Sequence, residues 1–178
     1  ALPIENGKHL EQDYVGARFT EFDFHIVLSH FKGHAMGGYG GALKNMSIGY
    51  ASSRGKLYIH SAGHSETSFP GGSQDDFLES MAEAAKAVSD ATDGDIIYIN
   101  VMNRLSIDCD CDGNPAEPDM HDIGILASFD PVALDQACVD LVYDAPDGDS
   151  LIQRIESRNG IHTIDHASAI GLGSKEYD

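Results

Sequence analysis

The 178-residue chain contains no tryptophan, only three cysteines and only 11 lysines and arginines against 29 aspartates and glutamates, a net charge of -18. That excess of negative charge repels nucleic-acid phosphate and anionic membrane surfaces, which excludes DNA, RNA and lipid as expected partners. Three cysteines, two of them one residue apart, make a poor disulfide framework and fit a reducing compartment. No apolar run approaches the length of a membrane span, and the opening ALPIENGKHLEQDY lacks the basic and apolar regions of a signal peptide. The expected location is cytoplasmic. The chain opens at Ala1 without Met and reaches its first convincing strand only near residue 24, so a fragment or the C-terminal part of a longer protein is expected, with a missing N-terminal region as one candidate partner.

Within those bounds, 42% hydrophobic residues suffice for one core, and a single α/β domain over 1–178 is expected. Phe24 to Ser29 reads as a buried strand running into the glycine-rich FKGHAMGGYGGALKN. Lys56-Leu57-Tyr58-Ile59-His60 reads as a second strand or the tail of a connection, followed by a loop over 61–74. Ser73 and Asp76 form a variant capping box before a helix over about 74–91, and Gly94 ends it. Residues 95–101 and 123–127 read as further strands. Asp130 as N-cap and Pro131 as first helical residue start a helix that stops before Pro146, and another is expected near 149–158. Strands alternating with helices predict a mostly parallel sheet with helices on both faces and a site at the strand carboxyl ends.

That rule gathers the unusual residues. Ser29, His30, His34 and the glycine loop follow the first strand, His60 the second, Asn103, Cys109 and Cys111 the third, and Ser128 and Asp130 the fourth. Gly37, Gly38, Gly40 and Gly41 let backbone approach a ligand closely, and amides at a helix start favour a small anion. A tight turn with close helix packing explains the same glycines equally well, and Lys44 in a helix is ordinarily a solvated charge. His30 and His34, four apart beside the loop, are candidates for acid/base or ligand roles. His25, His162 and His166, taken singly, read as surface or satisfied core residues, and Cys138 as core.

The segment DCDCDGNPAEPD, residues 108–119, poses a choice between metals. Asp108, Asp110, Asp112 and Asp119 fit most of a calcium loop, although the last ligand is Asp rather than Glu, Pro115 and Pro118 stiffen the loop, and a strand precedes it. Cys109 and Cys111 instead select a softer ion such as iron, zinc or nickel. An acidic, solvated loop with two unligated thiols is the bland reading.

VLSHFKGHAMGGYGGALKNMSIGYASSRGK, IIYINVMNRLSIDCDCDG and DIGILASFDPVALDQACVDL resemble the domain of unknown function 362 family, whose members are associated with iron–sulfur proteins. Many carry a separate ferredoxin-type module with its own cysteine runs, which implies such a module as a partner here, since this chain has no such run. HAMGGYGGALK also resembles the loop of nickel-pincer lactate racemases, which implies His34 as acid/base, Lys44 as cofactor anchor and His60 as nickel ligand. Leu43 stands where that family has arginine, and its later Pro-Gly is missing. The leading expectation is a metal-associated, redox-linked protein with His30, His60, Cys109 and Cys111 as ligands. A racemase or isomerase of a small hydroxy acid and a calcium-stabilised non-enzymatic module are the alternatives.

Overall fold

The computed structural model describes residues 1–69 and 71–178; the expected loop over 61–74 thus includes one position outside the described residues. Two short N-terminal strands, β1 (Leu2–Pro3) and β2 (Gln12–Asp13), pair antiparallel. Strand β3 (His25–His30) leads into a tight hairpin of β4 (Lys32–His34) and β5 (Gly38–Gly40). A single helical turn, α1 (Ala42–Lys44), then widens into a π-turn over Asn45–Gly49. Helices α2 (Ser53–His60) and α3 (Gln74–Thr92) precede β6 (Ile96–Met102). Strand β7 (Gly124–Ser128) and helices α4 (Pro131–Tyr143), α5 (Asp149–Ser157) and α6 (Ile161–Ala169) complete the chain.

The central sheet has the order β3-β6-β7. Only β3 and β6 run parallel; β7 returns antiparallel to β6, as do the two hairpin pairings elsewhere. The expected mostly parallel sheet is therefore corrected to small, mostly antiparallel sheets in a mixed α/β fold. A parallel return needs a crossover, usually helical. Residues 103–123, rich in aspartate and proline, supply a loop instead, so the chain turns back on its neighbour.

Lys56–His60 is helical, not a strand. An apolar triplet is too short for periodicity to decide. The start is set by Ser52, whose hydroxyl accepts the Gly55 N–H at 3.2 Å. The capping signals behaved as expected: Ser73 and Asp76 cap α3 reciprocally, and Asp130 Oδ1 accepts the N–H groups of Val132 and Ala133 at the start of α4.

One face of the sheet is buried through Val27, Ile96, Tyr98 and Met102, with α1 and α4 packed against it and α3 contributing Ala82, Ala85 and Val88 to the same core. A second cluster forms between α2 and α3 around Ile59, Phe77, Leu78 and Met81. Helices on both faces were expected. Instead Ile26 and Leu28 on β3 are each 62% exposed and Ile125 on β7 70%, so the second face stays open among the described residues. No helix among the described residues is long and apolar enough to cross a membrane.

Asp13 on β2 is fully buried, and neither carboxylate oxygen has a hydrogen-bond partner. Burial is the main cause of its pKa rising from 3.8 to about 7. The folded chain therefore holds a proton that the unfolded chain loses above pH 4. The stability contributed by that proton is complete below pH 4 and declines as pH rises towards 7. Asp13→Asn removes this dependence: urea denaturation at pH 5 and pH 8 should differ less in the variant than in the parent, and the variant should be the more stable at pH 8.

Candidate functional site

Beyond the carboxyl end of β3 lies an open cavity of about 600 Å³. Three of the chain's six lysines, Lys32, Lys44 and Lys56, line it together with His30, His34, His60, Cys109, Asp110 and Cys111. Each arrives by a different route. The β4–β5 hairpin carries Lys32 and His34, the turn after it Lys44, α2 Lys56 and His60, and the loop after β6 the cysteines.

Two glycines make the assembly sterically feasible. A Cβ on Gly33 would lie 2.2 Å from the Ile107 carbonyl oxygen, and its N–H donates to Ser106 at 2.8 Å, so the cysteine-bearing loop lies directly on the hairpin. A Cβ on Gly41 would lie 2.5 Å from an Asp135 carboxylate oxygen. That carboxylate, buried in α4, accepts Ala42 N–H at 2.8 Å and Asn100 Nδ2 at 2.8 Å on Oδ1, and Leu43 N–H at 3.0 Å and Tyr39 hydroxyl at 3.3 Å on Oδ2. Burial raises its pKa to about 6 against these four donors, leaving it ionised at neutral pH.

The three imidazoles differ in which nitrogen is free. His34 Nδ1 accepts the N–H groups of Gly37 at 2.9 Å and Met36 at 3.3 Å, so a neutral ring carries its proton on Nε2 and is a donor. His60 Nδ1 lies 2.6 Å from the Lys56 carbonyl oxygen, an acceptor only, so Nδ1 donates and Nε2 keeps its lone pair. His30 has neither nitrogen free: Nε2 donates to the Asn103 carbonyl at 2.6 Å, and Nδ1 faces Lys32 Nζ at 2.9 Å and Asp110 at 3.0 Å. Metal ligation by His30 therefore requires breaking one of these bonds.

The electrostatics follow from placing like charges together. Burial, then Lys44, His60, Arg154 and Lys32, lower the His34 pKa to about 4. Burial and the neighbouring Lys32 and Lys56 lower that of Lys44, with Asp110 opposing, and burial with Lys44 and Lys56 lowers that of His60. Asp110 pairs with Lys32, and Lys44 and Lys56 leave the cavity lining with an excess of positive charge in a chain of net charge -18.

His34, Cys109 and Cys111 bring one ligand atom each within 4.8 Å of one another. Cys109 and Cys111 are joined as a disulfide. Opened, the pair offers two thiolates to a soft or borderline ion. Two cysteines are half of what an iron–sulfur cluster takes, so the donor set fits a single ion and not a cluster held by this chain alone.

The four aspartates do not converge. Asp108 binds Arg154 Nη1 at 2.9 Å and the Ala116 N–H, Asp110 pairs with Lys32 and His30, and Asp112 caps Asn114 N–H at 2.9 Å. Asp119 donates its main-chain N–H to Leu105. These bonds fasten the loop. Of the other expected site residues, Ser29 accepts from Asn45 Nδ2 at 3.0 Å, and Gly40 and Gly41 line the cavity. Gly37 and Gly38 form the hairpin turn, and Asn103 contributes its carbonyl. Ser128 and Asp130 are carried away, because antiparallel β7 puts its carboxyl end at the other end of the sheet; there Asp130 caps α4 and accepts Ser174 N–H. Lys32, Lys56, Asn45, Arg154 and Asp135 were missed. Their signals are isolated charges or amides in unremarkable surroundings.

Fold and site together define an α/β domain with a basic cavity edged by a cysteine pair. The family described as Domain of unknown function (DUF362) matches residues 1–140, and the chain belongs to that family. No curated protein and no solved structure matches it. The local likeness to nickel-pincer lactate racemases gains no support from these comparisons.

Asp135→Asn tests the cavity's foundation. Either orientation of the amide points an N–H donor at a main-chain N–H, so a loss of about 1–3 kcal/mol is expected, read by urea denaturation. Tyr39→Phe, which removes the longest of the four bonds, should cost less.

Proposed function

We propose that this domain binds a small anion, carboxylate or phosphate in class, beside a single soft or borderline metal ion held by Cys109 and Cys111. The observation that carries this reading is the convergence of Lys32, Lys44 and Lys56 on one cavity whose edge bears the cysteine pair. Lysine is a compact point charge suited to an anion without a fixed planar geometry. Burial and the neighbouring Lys32 and Lys56 lower the pKa of Lys44, and an anion beside it offsets all three.

An external thiol reductant opens the bridge with two electrons and two protons, giving two thiols; the metal ion then displaces their protons. His34, with its proton on Nε2, serves as hydrogen-bond donor to the thiolates or the anion rather than as a metal ligand. His60, with Nε2 free, is the base or additional ligand. Their opposite tautomers support a proton-transfer step on the bound anion as a second reading, of the racemase or isomerase type. The calcium reading finds no such support, since each aspartate carboxylate of the loop engaged in a bond points to a different partner.

Titration calorimetry of the reduced protein with inorganic phosphate and with oxalate tests the anion. Binding should weaken as salt rises and fall roughly tenfold in Lys44→Met, about the 1.4 kcal/mol of one charge contact. Equal affinity of Lys44→Met and the parent for both anions would refute it. Zinc chloride added to the reduced protein should release protons and protect both thiols from alkylation, and Cys109→Ser should abolish the protection.

A further inference from the structure

A second group of ligating side chains lies away from the cavity, where the loop between β1 and β2 meets α3 and α6. Asp76, Glu79 and Glu83 occupy successive turns of α3, His162 and His166 successive turns of α6, and His9 sits on the loop. Glu79 is central and its side chain only 9% exposed. Its Oε2 lies 2.6 Å from His9 Nε2 and its Oε1 3.0 Å from His162 Nε2; Asp76 Oδ1 lies 3.9 Å from the same His9 nitrogen. One ligand atom each from His9, Asp76 and Glu79 falls within 4.8 Å of the others.

We propose that His9, Asp76, Glu79 and His162 form a binding site for one divalent transition-metal ion of zinc-like character. Two imidazoles and two carboxylates are the mixed nitrogen and oxygen set that such ions take, at about 2.0–2.2 Å from each donor. Around an ion at those distances donor atoms stand about 3 Å apart. The 2.6 Å gap from His9 to Glu79 Oε2 and the 3.0 Å gap from His162 to Glu79 Oε1 are close to this, so Glu79 meets the ion through both oxygens, and Asp76 offers Oδ1, 3.9 Å from His9 Nε2, while its Oδ2 keeps the Ser73 N–H of the cap.

The surroundings hold this set in place. Glu83, almost wholly buried, accepts the main-chain N–H groups of Lys8 at 2.8 Å, His9 at 3.1 Å and Leu10 at 2.9 Å, which pins the loop that carries His9. His166 packs behind, its Nε2 buried without a hydrogen-bond partner and 3.6 Å from Glu83. Lys8 Nζ, 2.6 Å from Glu79 Oε2, now occupies the position of a positive charge. Its side chain is 61% exposed and free to swing out, so a dication replaces it without opening the core. Bound metal clamps the N-terminal loop to α3 and α6, and folded-state binding must raise the melting temperature. His162 lies beyond the residues that match the family, and its pairing with Glu79 depends on the hairpin turn of the chain after α5.

The test uses the full chain as Cys109→Ser/Cys111→Ser, which removes the thiol site and makes the two metal readings separable. After treatment with chelator, zinc chloride is titrated by calorimetry at pH 7.5, with circular dichroism to confirm the fold of each variant. About one equivalent should bind and raise the melting temperature, and cobalt(II) should give visible bands without sulfur charge transfer. In the same background His9→Ala and His162→Ala should each weaken binding roughly tenfold or more, and Glu79→Gln should do the same if it folds. Absence of zinc binding to the double serine variant, or binding unchanged by both His9→Ala and His162→Ala, would overturn the proposal.

Discussion

The carboxylate of Asp135 is the point on which the cavity depends. It lies inside α4 and takes four donors from three other elements: the hydroxyl of Tyr39 on β5, the N–H groups of Ala42 and Leu43 at the first turn of α1, and the amide of Asn100 on β6. A first helical turn has N–H groups without partners in its own helix. Here a buried anion satisfies two of them, so the chain can begin a helix in the protein interior directly after a glycine hairpin. Gly41 is required by space rather than by dihedral angle: its φ is -134°, open to any residue, but a Cβ would overlap the carboxylate. The placement of Lys44, one turn further on, follows from that anchoring.

Charge is arranged to the same end. Most of the 29 acidic residues keep the surface anionic, yet the loop aspartates serve as fasteners for cations that would otherwise repel. Asp110 draws Lys32 and His30 together, and Asp108 binds Arg154 from α5, which also donates to the Ile107 carbonyl at 2.8 Å. These bonds hold the cysteine loop against a hairpin rich in positive charge. Lys32 is buried and Arg154 and Asp108 are each about a fifth exposed, so solvent screens these pairs only in part. Their effect is also positional, leaving Lys44, Lys56 and His60 facing the opening with no acidic salt-bridge partner among the described residues.

What the sequence made legible is what depends on neighbouring residues. The reciprocal cap of Ser73 and Asp76, the Asp130-Pro131 start and the apolar runs of β3 and β6 are local signals, and each marks an element of the fold. The direction of β7 is not local; it depends on whether residues 103–123 form a crossover, and with them Ser128 and Asp130 moved to the far end of the sheet. Lys56–His60 lacked the length for its period to speak, yet as a helix it still delivers His60 and Lys56 to the cavity, because the strand-end rule places loops and short helices in the same space. His162 reads as an ordinary surface residue until α6 is laid beside α3. Composition could announce nine histidines, and only packing could pair two of them, His9 and His162, with Glu79.

In the loop DCDCDG the carboxylates and the sulfurs differ in what they are already bonded to. Three aspartates at alternate positions satisfy a pattern for a hard cation, but a calcium loop works by turning its oxygens inward together. This loop turns them outward to Arg154, to Lys32 and to the Asn114 N–H, bonds that would have to break before the carboxylates could converge. The two sulfurs have no such obligations beyond each other and the Cys111 N–H that Cys109 accepts at 3.2 Å. Once the pair is reduced, sulfur is the donor this loop has free to give, beside a histidine whose tautomer makes it a hydrogen-bond donor and, in Lys44 and Lys56, two further positive charges. The proposed thiolate-bound cation with an anion at its side would use all three groups at once.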